Sequence, residues 1–184
     1  MFPSIPGWDA VHPLIVHFPI ALLLVAPVLI ILGLFLPKQS RGLLIGALVM
    51  IVLGTIGIYF AVATGEAAGE LAERTPGIAG VLERHEELAE TARTIFTALT
   101  VVFAAILFAP SFFKKRLSRK TVTIVSLVFL VFYGGGAILL ANVAHQGGLL
   151  VHHYGVRAMM GSANQSAPAN KSESKHETER EKEK

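Results

Sequence analysis

The stretch His12-Pro13-Leu14-Ile15-Val16-His17-Phe18-Pro19, running without a break into Ile20 to Leu36, decides what kind of chain this is. After His17 nothing polar appears until Lys38. Pro13 suits the first turn of a helix, where its missing N–H is not needed. His12 then sits at the lip of an apolar helix, and His17 lies about 6 Å deeper at helical rise. Pro19 cannot donate to the carbonyl of Ile15, so the backbone there is expected to be bent or left open. Pro27 adds a second expected kink further in.

The rest of the chain has the same character. Of its 184 residues, 53% are hydrophobic, too many for an ordinary soluble domain. Four runs are long and apolar enough to cross a bilayer, at 14–36, 43–64, 94–113 and 121–143, and none contains Lys, Arg, Asp or Glu. The first run is read as a permanent span, because a signal peptide needs a positive start and a shorter core. The expectation is an all-α membrane protein, a four-helix transmembrane bundle over residues 1–160, followed by a disordered polar tail at 161–184. His176, in that tail, is taken as incidental.

The net charge of +3 does not point to nucleic acid, because the charges are sorted by connection. Lys38, Arg41, Lys114, Lys115, Arg116, Arg119 and Lys120 crowd the two short links, with no acidic residue among them. The segment from Glu66 to Arg93 instead sets seven glutamates against Arg74, Arg84 and Arg93. The positive-inside rule then places the short links in the cytoplasm and both termini outside, in a bacterial inner membrane with the termini periplasmic.

Small residues at Gly42, Gly46, Gly54, Gly57, Ala61 and Gly65 predict close helix packing along span two. Good helix formers carry it past Gly65, and Pro76-Gly77 breaks it. From Ile78 an apolar stripe of helical period leads as an extended amphipathic helix into span three, with glutamates opposite. His85 falls in that stripe, between Leu82 and Leu88, and is expected to point inward. Span four contains Gly134-Gly135-Gly136, which costs about 2–3 kcal/mol relative to alanine unless close packing or a flat group compensates. A glycine turn is expected at Gly147-Gly148, past the end of that span.

Six of the seven histidines lie at or beyond the outer ends of the spans. Amphipathic rings do settle at a polar interface, but an imidazole inside an apolar bundle needs a partner. His17, His85 and His145 are the candidate cofactor-binding and metal-ligating residues, with His12, Asn142 and His152 as secondary candidates. There is no cysteine, which excludes disulfides, iron–sulfur ligation and covalent haem attachment. A zinc hydrolase would want a carboxylate beside its histidines, and Glu86 faces away from the His85 stripe. Copper favours methionine or cysteine partners, and only Met159 and Met160 are near. Noncovalent haem b needs histidines on facing helices, small residues for clearance and an apolar wall. The leading expectation is therefore a b-type haem protein passing electrons between quinol or redox-protein partners. A copper- or zinc-handling protein is the alternative, and mutual hydrogen bonding in a structural subunit a third reading. No catalytic constellation is present, so an electron-transfer or binding subunit is favoured over an enzyme.

His12-Pro13, Val16-His17-Phe18-Pro19-Ile20-Ala21-Leu22, Thr64-Gly65, the lone His85, and Gly147-Gly148-Leu149-Leu150-Val151 leading to Tyr154-Gly155-Val156 together resemble the bacterial membrane family termed domain of unknown function 2231. The resemblance covers about residues 10–158. It implies four spans and a redox setting, since some members resemble fusions to Rieske or cytochrome modules. An aromatic is common in that pattern where His152 stands here.

Overall fold

The structure, a computed structural model, describes residues 8–72, 77–112 and 118–156. The expected tail at 161–184 lies outside the described residues. Five helices follow one another: α1 (Trp8–Ile15), α2 (His17–Phe35), α3 (Ser40–Ala72), α4 (Ala79–Phe112) and α5 (Arg119–His152). Four helical stretches, with α1 and α2 counted together, are long and apolar enough to cross a membrane. Among the described residues there is no strand.

The break between α1 and α2 falls at Val16, where Pro19 leaves the ladder short of a donor. The ladder resumes with a long bond of 3.4 Å from Ile20 N to Val16 O. α2 runs through Pro27 as one helix. α3 continues well past its apolar part, as its helix formers predict, and Gly77 turns the chain with φ at +82°. The amphipathic segment and span three form one helix, α4. One expectation is overturned at the far end. Gly147 and Gly148 are helical, and the turn comes later, after a cap at His153 and with Gly155 at φ +69°. Leu150 is buried, and burying it holds the last turns of α5 against α3 and α4 despite the weak propensity of glycine.

Packing follows the small residues. A Cβ on Gly54 would lie 2.6 Å from Leu23 Cγ, and one on Gly57 would lie 3.0 Å from Pro19, so α2 and α3 pack nearly backbone to backbone. Gly136 serves the α4–α5 contact, against Leu99 and Phe96. Gly134 and Gly135 meet nothing within 4 Å. The core rings Phe96, Phe103, Phe129 and Tyr133 stack where α4 meets α5. The Tyr133 hydroxyl donates to the carbonyl of Leu23 at 2.7 Å, tying α5 to α2. Such a buried bond is worth about 1 kcal/mol net. Large apolar side chains such as Val101, Val131, Phe132 and Ile138 point outward from the bundle, which is stable only against lipid.

This topology gathers the start of α1, the end of α3, the start of α4 and the end of α5 at one end of the bundle. The link between α2 and α3, the end of α4 and the start of α5 lie at the other.

Candidate functional site

A single turn of backbone separates His12 from His17, yet the two rings have opposite surroundings. His17 is exposed, and its Nδ1–H donates to the carbonyl of Pro13 one turn back, at 2.7 Å. His12 is half-buried and lines a cavity of about 860 Å3 between α1, α3, α4 and α5. The reason is helical phase. The buried residues of α2 are Pro19, Leu23, Ala26, Ile30 and Gly33, and stepping back from Pro19 by three and then four reaches Val16 and His12. Both of these line the cavity. His17 falls off that stripe.

The same rule sorts the other candidates. Leu82, Ala92, Phe96, Leu99 and Phe103 are the buried stripe of α4, and His85 stands within its register, half-buried on the cavity wall. In α5 the buried series runs Phe129, Tyr133, Gly136, Leu140 and Leu150, with Val143 and Gly147 completing it along the cavity. His145 and Asn142 miss this series and are exposed. The Asn142 amide donates back to Ile138 O at 2.9 Å. His152 is exposed as well. The expected convergence of His17, His85 and His145 is therefore not what the fold produces. It brings together His85 and His12.

Each of the two inner imidazoles is seated by the same device. His85 Nδ1 lies 3.0 Å from the carbonyl of Val143, and a carbonyl only accepts, so Nδ1 carries the proton. His12 Nδ1 lies 3.1 Å from Thr64 Oγ1. The Thr64 hydroxyl also reaches Phe60 O at 2.8 Å and Ala61 O at 3.1 Å in its own helix, and a hydroxyl can donate to or accept from the His12 ring according to its tautomer. The His85 ring, when neutral, holds an unprotonated Nε2.

A glycine makes room under each ring. A Cβ on Gly65 would sit 3.0 Å from His12 Cε1, and one on Gly147 would sit 3.1 Å from His85 Cε1. The other walls are apolar, with Ile20, Ile58, Val62, Leu140 and Leu150. Glu66, Glu83, Glu86, Glu87 and Glu90 also line the cavity, and no Lys or Arg does so among the described residues. Of the described basic residues near it in sequence, Arg84 pairs with Glu87 and Arg93 with Glu90, each at 3.3 Å.

What this arrangement can bind follows from its donors. Among the described residues no three His, Asp, Glu or Cys side chains converge as for a metal ion. A bare zinc ion seeks four ligands, and the carboxylates on the cavity wall do not converge with the two imidazoles to supply them. Haem iron arrives with four pyrrole nitrogens and asks the protein for one or two axial ligands. The volume lies within the range of about 300–1,000 Å3 typical of small-molecule sites. The number of nitrogen donors and the volume are what haem would ask, whereas the five glutamates, with no described Lys or Arg beside them, supply no countercharge for its propionates.

Fold and site together define a four-span membrane bundle with a histidine-walled cavity at one end. The chain matches, over residues 8–159, the family described as "Predicted membrane protein (DUF2231)", and it belongs to that family. No curated protein and no solved structure matches it.

Proposed function

We propose that this integral membrane protein binds haem b in the end cavity, with His12 and His85 as axial ligands, and serves as a non-enzymatic electron-transfer subunit. One observation carries the reading: two imidazoles, one on α1 and one on α4, each hydrogen-bond through Nδ1 to a neighbouring helix and line the same cavity. An anchor on the second ring nitrogen is the usual support for an iron- or metal-ligating histidine, because it fixes both tautomer and ring direction. Haem, when bound there, supplies a one-electron couple. The chain's own part is to hold the axial nitrogens in register, keep water from the apolar walls, and set the local charge through the glutamates. The sorted charges further support a bacterial inner membrane with the cavity at the periplasmic face, since Lys38, Arg41, Arg119 and Lys120 lie at the opposite end. Quinol in the bilayer and a redox protein outside it are then the partners on either side.

The reading is tested on detergent-purified protein by its absorption spectrum together with elemental analysis. A Soret band with iron in stoichiometric amount is expected, and His12→Ala or His85→Ala should each abolish the low-spin spectrum. Copper or zinc without a Soret band would transfer the site to the metal-handling alternative. Colourless, metal-free protein that takes up no added haemin would overturn both.

A further inference from the structure

A cavity in a membrane bundle is entered through whichever of its walls is missing. α1 packs on α3 and α5 packs on α4, yet among the described residues no Cα of α1 comes within 8 Å of one in α5. Deeper in the bundle that side is closed, where the Tyr133 hydroxyl donates to Leu23 O. Above the closure a slot separates α1 from α5. The cavity lining on its two sides is apolar, with Val16 and Ile20 on one and Leu140, Val143 and Val151 on the other. Val151 lines the cavity and is also 52% exposed, so it stands at the lip. Leu14 and Phe18, on the neighbouring turns of α1 and α2, are exposed as well, as lipid-facing side chains are.

We propose that this slot admits an amphiphile dissolved in the adjoining leaflet: an alkylammonium whose chain lies between α1 and α5 and whose cationic head sits among the glutamates. The proposal goes beyond the haem reading and does not rest on it. Glu66 comes to the cavity from α3, Glu83 and Glu86 from α4. The Glu86 carboxylate lies across α3 over a third glycine, since a Cβ on Gly69 would sit 2.7 Å from its Oε1. Arg84 and Arg93 are paired with Glu87 and Glu90, and Glu66 and Glu83 have no ion pair among the described residues. His85, with an unprotonated Nε2, adds an acceptor. A phosphate or carboxylate head would meet only like charge here, and an uncharged head would gain nothing from the carboxylates. An ammonium is matched to all of them, and its chain is matched to the slot. A phospholipid amine is set aside because its phosphate would lie beside the same carboxylates.

The test titrates the full chain in neutral detergent with dodecylamine, dodecanol and sodium dodecanoate, which share one chain and differ in the head. Native mass spectrometry counts the ligand retained. Dodecylamine should bind as a single equivalent, dodecanol more weakly and dodecanoate least. Glu66→Gln, Glu83→Gln and Glu86→Gln together should weaken dodecylamine by about 3–30-fold, the worth of three partly exposed ion pairs, and leave dodecanol unchanged. Val151→Trp, at the lip, should weaken both alike. Equal retention of dodecylamine and dodecanoate would overturn the assignment of the head. So would an unchanged amine affinity in a triple variant that melts like wild type. A Val151→Trp protein that binds both ligands like wild type would overturn the slot. Phosphatidylethanolamine carried through purification in stoichiometric amount would put a phospholipid in place of the simple amine. Haemin separates the two readings of the cavity. Amine binding by a protein that takes up no haemin upholds this proposal and removes the haem reading, whereas haemin uptake without amine binding does the reverse.

Discussion

His12 and His85 are held by unlike parts of the molecule in nearly the same way. In one half, a short helix broken at Val16 lays its imidazole on Gly65 of α3. In the other half, a helix of 34 residues lays its imidazole on Gly147 of α5. Both rings hydrogen-bond through Nδ1 to the helix they rest on and line the same cavity. The difference is in construction. The His85 seat is built on two long helices and a main-chain carbonyl, which no substitution can delete. The His12 seat depends on a side chain and on a helix of eight residues.

The comparison is broken most directly at the glycines. Gly147→Ala forces a methyl against a ring that cannot retreat, and it should lower haemin affinity by about 10-fold or more. Gly65→Ala should cost less, because α1 can shift to admit the methyl. Equal losses in the two titrations would show that α1 is as rigidly held as α4. A smaller effect is expected from charge. Carboxylates around the cavity favour the oxidised, more positive haem, so Glu66→Gln combined with Glu83→Gln should raise the midpoint potential. The rise should shrink at high salt. A potential that does not move in a redox titration would place these groups in water, away from the bound group. The smallest effect belongs to the exposed rings. His17→Ala and His145→Ala should leave the spectrum unchanged, and loss of the Soret band in either would require the helices to rotate from the positions described here.

How well each histidine could be read depended on its surroundings in sequence. His85 lies where apolar and charged residues alternate with helical period, so the inner face of α4 is visible and the ring falls plainly on it. His12 and His17 open a helix that is apolar at every following position, so no stripe marks which side faces protein and which faces lipid. In lipid both sides are equally satisfied by apolar residues. His145 misled for the same reason, since Gly135, Asn142 and His145 share a face that turns out to look away from the bundle. A signal for His12 existed only in small residues: Thr64-Gly65 stands at the end of a helix rich in glycine, a seat without an evident occupant until α1 is placed.

Composition and charge alone give four runs long and apolar enough to cross a membrane, the approximate ends of the helices other than the last, and how the basic and acidic connections are sorted. These follow from local causes, because twenty apolar residues, a proline or a glycine act through their own backbone wherever they stand. Which imidazoles meet was decided by the rotation of each helix about its axis. That rotation is set by contacts between residues far apart in the chain, such as Gly54 against Leu23, Gly136 against Leu99 and Tyr133 against Leu23. A turn of about 100° per residue carries a side chain two places along to nearly the opposite face, which is the distance between a ring at the cavity and a ring in the lipid.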